Sequence, residues 1–277
     1  MEGPAGVVEH APRTRLSVMS STYTEWAAMP ALGNHLACLW IHVPDTSPAS
    51  ARDVVVTPDG CVDIVWNGSR LFVAGPDTES HAVGPSSGRW FVGARFEPGM
   101  ASTVLGIPAS ALLDDRVDLI DVLPDVAAPL LDELLASNDL DHAARRIEAT
   151  VEGLLPNAAA ADRTVIGAVR ALQRSSLARP VATLAVELGV SERHLLRRCR
   201  ASIGYGPKML DRVMRFRRFN ALLTANPGAD LAGLAVAAGY ADQAHLSREC
   251  RAMSGMTPSS WSETFKTTPL DLATLER

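Results

Sequence analysis

The sequence predicts an α+β protein with two domains. The first is an antiparallel sheet or small β-barrel with a pair of helices, and the second is all-α. Short β-branched and aromatic runs fill residues 40–96, a helical period starts near residue 125, and the last hundred residues contain one helical unit twice. A chain of 277 residues is long enough to bury two hydrophobic cores.

Composition divides the chain into four expected segments. Residues 1–20 are rich in Gly, Pro and polar residues without periodicity, which is typical of a disordered lead-in. Residues 21–156 are expected to form the first domain, and the stretch LPNAAAAD a linker. Residues 160–265 are expected to form the second domain and residues 266–277 a tail.

The first domain changes from strands to helices along its length. Five runs, ACLWIHV, DVVVTP, CVDIVW, LFVAG and RWFVGARF, alternate with turn sequences such as PDTSP, PDG and GPSSG. A helical period follows at 125–155, interrupted by SNDLDH, which predicts two antiparallel helices. Their apolar faces are predicted to contain Val126, Leu130, Leu134, Ile147, Val151 and Leu154.

The net charge of −5 conceals a division between the two domains. Residues 1–175 hold 12 Arg, no Lys and 22 acidic residues, whereas residues 176–266 hold 13 Lys and Arg and 7 acidic residues. A basic C-terminal domain favours nucleic-acid binding. We expect a cytoplasmic protein with free thiols, because no apolar run approaches the roughly 20 residues of a membrane span and the four cysteines are far apart.

One short motif occurs twice in the basic domain. HLLRRCRASIG at 194–204 and HLSRECRAMSG at 245–255 share seven residues at an offset of 51 positions. Upstream, LAVELG at 184–189 and LAVAAG at 234–239 align at an offset of 50. A short helix, a Gly-containing turn and a second, capped helix form the helix-turn-helix pattern, so the sequence predicts two copies of this motif.

The second helix of each copy has one apolar and one basic face. Ser191 and Asp242 are the expected N-caps. At 100° per residue, the core-facing positions are Leu195, Cys199, Ile203, Leu246, Cys250 and Met253. The opposite faces hold Arg193, Arg197, Arg200, Ala244, Arg248 and Arg251, with Gln243 and His245 in the first turn of the second copy. Arg and Gln contact guanine and adenine edges in a major groove, so both faces are predicted to bind DNA.

A long helix is predicted between the two copies, opened by Pro207 and ended by the sequence NPG. About 18 residues at ~1.5 Å each span roughly 27 Å, close to the ~34 Å repeat of B-DNA. One chain is therefore expected to place two recognition helices in successive major grooves. Lys208, Arg215 and Arg217 are the phosphate-contact candidates on this helix.

Residues 160–265 resemble the C-terminal DNA-binding domain of the AraC/XylS family of bacterial transcription regulators. The resemblance rests on LAVELGVSERHLLRRCR, GYGPKML, RVMRFRRFNALL and LAGLAVAAGYADQAHLSRECRAMSGMTPSSW, and it covers the whole seven-helix domain. It implies a sequence-specific transcriptional regulator. The base-contacting positions that it implies are Arg193, Leu196, Arg197, Gln243, His245, Ser247 and Arg248.

Two features depart from that family's pattern. Leu196 lies where a polar side chain is common, so we expect it to contact a thymine methyl group instead of donating a hydrogen bond. Cys199 and Cys250 replace the usual aromatic residue after Arg. We expect these two cysteines to be small packing residues, not redox sensors.

The same resemblance implies the organisation of the first domain. Regulators of this family commonly carry a cupin-like barrel with a helical pair used for dimerisation, so a cupin-like β-barrel and a homodimer are expected. PDGCVDIVW, VAGPDT and GARFEPG also resemble a less characterised N-terminal module found in some of these regulators. The candidates for an effector pocket are Trp40, Cys61, Asp63, Trp66 and Trp90, with core packing as the alternative for the tryptophans.

Metal or thiol sensing is an alternative for this domain. His35, Cys38, His42 and Cys61 are types that bind zinc or copper, and Cys61 follows a turn where a thiol can be reactive. Their spacing matches no established metal motif, so we predict neither a metal nor a cofactor.

Three classes of function follow from these observations. The first is a regulator that responds to a small-molecule effector, and the second is one whose N-terminal domain only dimerises or binds another protein. The third, an enzyme fused to a DNA-binding domain, requires an HxH metal set or four clustered zinc cysteines, and the sequence has neither. We therefore predict no enzymatic activity. The expected partners are double-stranded promoter DNA, an effector and, for an activator, RNA polymerase, with no membrane contact.

Overall fold

The computed structural model describes residues 14–18, 21–44, 54–83, 90–175, 179–226 and 228–267. The strands are β1 (Thr14–Val18), β2 (Ser21–Trp26), β3 (Leu36–Val43), β4 (Val54–Val56), β5 (Asp63–Trp66), β6 (Leu71–Ala74), β7 (His81–Val83), β8 (Phe91–Phe96) and β9 (Arg116–Asp118). The helices are α1 (Ala101–Leu105), α2 (Leu119–Val122), α3 (Pro124–Leu135), α4 (Leu140–Leu154), α5 (Arg163–Arg174), α6 (Val181–Glu187), α7 (Glu192–Ile203), α8 (Pro207–Ala225), α9 (Leu231–Ala238), α10 (Gln243–Ser254) and α11 (Pro258–Thr267). Short 3-10 turns lie at Pro30–Leu32, Ala109–Ala111 and Leu155–Asn157.

The N-terminal domain contains a seven-stranded sheet in the order β1-β2-β3-β8-β5-β6-β9, and β4 pairs with β7 in a separate ribbon. Every strand pair is antiparallel. The expected α+β class, with an antiparallel sheet followed by helices, is confirmed. The sheet is open, however, because the described strands β1 and β9 form its two edges and do not pair with each other.

The expected lead-in is partly ordered. Residues 14–18 form β1 and pair with β2, with Val18 opposite Ser21, so the prediction of disorder is wrong for this segment. An edge strand was missed because the run TRLSV is short and adjoins Gly- and Pro-rich sequence. Residues 1–13, 19–20 and 268–277, which include most of the expected lead-in and tail, lie outside the described residues.

The two faces of the sheet differ in composition. One face packs Trp66, Val73 and Phe96 against the helices α1, α3 and α4, forming the first hydrophobic core. The opposite face carries a small cluster made of Tyr23, Cys38, Trp40 and Val65. It also holds the buried carboxylates Glu25 and Asp63, so we call it the polar face.

The predicted helical pair is present as α3 and α4. Leu130 and Leu134 of α3 and Ile147 and Val151 of α4 are buried in the first core. Asp139 begins α4, and its side chain accepts hydrogen bonds from two backbone N–H groups of the first turn. The pair thus covers the apolar face of the sheet.

The C-terminal domain contains the described helices α5–α11 around a second core. The long helix α8 has 19 residues, about 28 Å at ~1.5 Å per residue, and its buried stripe includes Val213, Phe216, Phe219 and Leu223. The ring of Trp261 in α11 packs at a tilt beside Phe216, with ring centroids 6.0 Å apart. Within the described residues, no helix has the length and apolar composition needed to cross a bilayer.

Arg218 of α8 connects the two halves of this domain. Its Nη1 donates to the carbonyl of Ala238 at the end of α9 (2.9 Å), and its Nη2 donates to the carbonyls of Leu172 (2.9 Å) and Gln173 (3.4 Å) near the end of α5. Carbonyls at helix ends lack partners within the helix, and a cation there interacts favourably with the helix dipole. One guanidinium therefore holds the ends of two helices at a fixed distance.

The two domains touch along the loop 57–61 and the middle of α8. The Nη1 of Arg217 donates to the carbonyl of Asp59 at 2.9 Å. Gly60 has a φ of +83°, and a Cβ there would lie 3.3 Å from both the Met214 Cε and the Tyr205 Oη. A glycine allows both this left-handed turn and the close approach of the loop to the second domain.

Gly93→Ala should destabilise the first domain, because the added Cβ would lie 2.3 Å from the Trp40 Cε2. Displacing a packed indole costs about 1–3 kcal/mol of the free energy of unfolding, measurable by urea denaturation. The matched control is Gly153→Ala in α4, where a Cβ meets no atom within 4 Å. It should gain roughly 0.5–1 kcal/mol from helix propensity. A Gly93→Ala protein as stable as the wild type would show that Trp40 is not packed on this strand.

Candidate nucleic-acid interface

The first recognition helix is α7. The Ser191 Oγ accepts a hydrogen bond from the His194 N–H at 3.3 Å, so the predicted cap is present. Three apolar side chains, Leu195, Cys199 and Ile203, are buried in the second core. On the other side, Arg193, Arg197 and Arg200 are exposed. The helix therefore presents three guanidinium groups to solvent on one face.

Leu196 lies at the margin of this face and is 36% exposed. A Cβ on Gly206 would lie only 2.6 Å from the Leu196 Cδ1, so part of the side chain rests against the turn that precedes α8. The remaining surface offers an apolar contact beside the arginines. This placement fits contact with a thymine methyl group and no hydrogen bond.

The second recognition helix is α10. The Asp242 Oδ1 accepts a hydrogen bond from the His245 N–H at 2.6 Å, which confirms the predicted cap geometry. Leu246, Cys250 and Met253 are buried in the second core. The exposed side chains on this helix include Gln243, Arg248 and Arg251. The two copies thus share exposed arginines at two equivalent positions, Arg197 with Arg248 and Arg200 with Arg251, whereas the counterpart of Arg193 is Ala244.

Two predicted base contacts in α10 already have partners within the protein. The His245 Nδ1 accepts from the Ala241 N–H at 3.3 Å, and its ring packs edge-on against Tyr240 at 5.3 Å. The Ser247 Oγ donates to the carbonyl of Gln243 at 2.8 Å. Both side chains are partly exposed, so any contact with a base must add to these hydrogen bonds or replace them.

The phosphate-contact candidates on α8 have three different environments. Lys208 is exposed at the first turn. Arg215 is 7% exposed, pairs with Asp211 (3.2 Å) and lies 5.6 Å from the ring centroid of Tyr240. Arg217 is 8% exposed and faces the first domain, so the prediction that it is available to phosphate is contradicted. Arg215 likewise does not lie on the open surface of the helix.

The pocket candidates of the first domain lie at different places. Trp66 is 1% exposed and packs in the first core, with Trp90 beside it at a centroid distance of 6.2 Å. Trp40 and Asp63 lie on the polar face, where the Trp40 Nε1 donates to the Asp63 Oδ2 at 3.1 Å. Cys61 is buried next to the loop that contacts α8. The five residues therefore do not form one pocket.

The polar face contains an ion-pair chain that sequence reasoning missed. The Arg95 Nε and Nη2 donate to the Asp63 carboxylate at 3.2 Å, and the Arg95 Nε lies 3.5 Å from the Asp59 Oδ2. Asp59 in turn accepts from Arg217 through its carbonyl. A charged residue inside the apolar strand FVGARF was the available signal for Arg95, since a buried arginine requires a partner.

The thiols are buried and poorly suited to reactivity. Burial, with the nearby Asp59 carboxylate, raises the pKa of the Cys61 thiol well above its ordinary value. Burial also raises the pKa of Cys199 to about 12 and that of Cys250 to about 11. Among the described residues, which include His35, Cys38 and His42, no group of three or more His, Cys, Asp or Glu side chains is placed to hold a metal ion.

Alkylation provides a test of this interpretation. At Cys61, Cys199 and Cys250 the raised pKa values leave little thiolate at pH 8, so these thiols should resist iodoacetamide in the native protein, with labelling that rises as the pH is increased. The denatured protein, as a control, should label at all four cysteines. Mass spectrometry after timed alkylation measures this. Rapid labelling of Cys61 in the native protein would instead support the thiol-sensing alternative.

Comparison with known proteins agrees with this geometry. Residues 184–264 match the family described as a helix-turn-helix domain, and residues 24–118 match a domain of unknown function. The HTH-type transcriptional regulator VirS of Mycobacterium tuberculosis is 34% identical over 137 residues, which are 47% of this chain and 39% of that protein. The chain thus matches about two fifths of the length of that relative.

Solved structures that the chain matches include two of ToxT. Unsaturated fatty acid bound wild-type ToxT from Vibrio cholerae is 13% identical, with a TM-score of 0.44, over 84% of this chain and 96% of that one. ToxT from Vibrio cholerae O395 is 12% identical, with a TM-score of 0.41, over 82% and 94% of the two chains. The sequence motifs and the helix-turn-helix match agree: the C-terminal domain contains a helix-turn-helix domain at residues 184–264 and is similar to the DNA-binding domains of the AraC/XylS family.

Proposed function

We propose that the protein is a sequence-specific transcriptional regulator that binds double-stranded promoter DNA. The observation that carries this proposal is the pair of capped recognition helices, α7 and α10, each with an exposed basic face and both packed on the single helix α8. The net charge of +6 over residues 176–266 supports binding to a polyanion. We assign no catalytic activity to the chain.

Base contact is assigned to the exposed side chains of the two recognition helices. Arg193, Arg197, Arg248 and Arg251 carry guanidinium forks that match the two acceptors of guanine, and Gln243 has the donor and acceptor that adenine requires. Arg200, Leu196, His245 and Ser247 complete the proposed surface. The length of α8, about 28 Å, supports the proposal that the two helices enter successive major grooves on one side of the duplex.

We further propose that the first domain binds a small-molecule effector on its polar face. Tyr23, Trp40 and Phe91 supply aromatic surface there, and Asp63 supplies a buried carboxylate. Such a mixture of aromatic groups with a few polar ones is typical of ligand sites. A ligand that displaced the Trp40 hydrogen bond to Asp63 would alter the chain that ends at Arg217 of α8.

Homodimerisation through the helical pair is the proposed assembly. Leu135 of α3 is 59% exposed, and Ile120 of the preceding helix α2 is 47% exposed, so each of these two helices presents an exposed apolar side chain. The family resemblance supports dimerisation by these helices. RNA polymerase is a further partner if the protein is an activator.

Arg197→Ala and Arg248→Ala should each weaken specific DNA binding by about 1–3 kcal/mol, because each removes a proposed contact with a base. Fluorescence anisotropy with a selected target and with random DNA of equal length measures the loss. Arg170→Ala is the matched control, since Arg170 is an exposed arginine on α5, outside both recognition helices. Equal losses on target and random DNA would contradict base contact by these arginines.

The proposal as a whole fails if no DNA sequence, after selection from a random pool, binds better than random DNA at about 0.15–0.2 M salt. Its effector part has a separate test, native mass spectrometry of the protein purified from its own host. A retained small molecule would identify the ligand class. An unliganded dimer that binds its DNA target without any added compound would favour the alternative in which the first domain only assembles the protein.

A further inference from the structure

We infer that a groove between the two helix-turn-helix units binds backbone phosphate of the duplex segment that lies between the two recognition helices. The groove has a volume of about 600 Å³ and runs from the start of α6, across the first half of α8, to the first turns of α10. This inference rests on the proposed DNA-binding function and adds to it a site for the phosphate backbone.

The groove is lined by more cations than acids. Four of its side chains are basic (Arg179, Lys208, Arg212 and Arg215) and two are acidic (Asp211 and Glu249), a balance of +2 with His245 neutral. Positive charge in a concave, partly desolvated site attracts an anion more strongly than the same charge on an open surface. The lining therefore favours an anionic occupant.

The cations differ in how far they are already neutralised. The Arg212 Nε donates to the Glu249 Oε2 at 2.8 Å, and the Arg179 Nη2 donates to Glu187 at 2.8 Å. Among the described residues Lys208 has no ion pair, and it is exposed at the groove edge. Lys208 is thus the cation that is free to meet a ligand.

Arg215 supplies the second, independent observation. Its side chain is 8% exposed, and its Nη2 lies 3.2 Å from the Asp211 Oδ2. Its Nε, in contrast, is buried and has no hydrogen-bond partner. A buried donor without an acceptor is costly in free energy, so an acceptor group that enters the groove would gain a hydrogen bond the protein does not itself provide.

The position of the groove identifies its occupant as DNA backbone. His245, in the first turn of α10, lines it, and the exposed Gln243 lies two residues before. The other end of the groove lies at the start of α6, which belongs to the first helix-turn-helix unit. A duplex held in its major grooves by α7 and α10 presents the intervening backbone to the surface between them, and phosphate oxygens are acceptors for Lys and Arg.

Two opposite substitutions test the proposal on the full chain. Lys208→Ala should weaken binding to target and random DNA alike, by about 3- to 10-fold, and lower the slope of log K against log salt by about 0.9. Glu249→Gln releases Arg212 from its partner and should strengthen binding to both DNAs while raising the salt slope. An increase in affinity cannot result from misfolding. Arg170→Ala and Glu152→Gln, at exposed positions on α5 and α4, are the charge-matched controls.

The outcomes separate this inference from the proposed function. In one outcome, Lys208→Ala and Glu249→Gln leave DNA affinity and salt slope unchanged while Arg197→Ala still loses target affinity. That result would overturn the groove assignment and leave the proposed regulatory function intact. If the wild-type protein binds no DNA, both fail. As a further test, inorganic phosphate is titrated into the protein at constant ionic strength. Saturable phosphate binding that depends on Lys208, with DNA affinity unaffected, would assign the groove to a free anion and overturn the DNA backbone as its occupant.

Discussion

The geometry of the proposed DNA-binding surface depends on the hydrogen bonds of one guanidinium group. Arg218 supplies this group. It donates hydrogen bonds to carbonyls at the ends of α5 and α9, one helix from each half of the domain. Because α7 packs on α5 and α10 packs on α9, fixing these two ends also fixes the separation of the recognition helices. The apolar stripe of α8 positions the packed helices through close contact of their side chains, and the Arg218 guanidinium adds directional hydrogen bonds to that packing.

Two other arginines of α8, close to Arg218, contact different parts of the protein. Arg217 points to the first domain and is held by the carbonyl of Asp59, whereas Arg215 points to Asp211 and the groove. Within about one turn, α8 therefore contacts the first domain, the ends of α5 and α9, and the groove proposed to bind DNA backbone. A chain of hydrogen bonds and ion pairs leads from Trp40 on the polar face through Asp63, Arg95 and Asp59 to Arg217 of α8.

The sequence predicts the second domain better than the first. The doubled motif reveals α7 and α10, and the caps Ser191 and Asp242 follow from local chemistry alone. Periodicity assigns helix faces, but it does not say which face another domain covers. Periodicity alone therefore predicts that Arg217 contacts phosphate, whereas its partner is the carbonyl of Asp59, 158 positions earlier. The sequence also does not predict whether the sheet closes into a barrel, because closure depends on pairing between edge strands that are distant in the chain.

The most direct test of the central claim is the dependence of affinity on the spacing between two half-elements of a selected target. If α8 and Arg218 hold the recognition helices rigidly on one side of the duplex, inserting five base pairs between the half-elements should reduce the affinity to that of a single half-element. That insertion rotates one half-element by about half a helical turn. Affinity that is unchanged by the insertion would contradict the account, since it would require the two recognition helices to move independently.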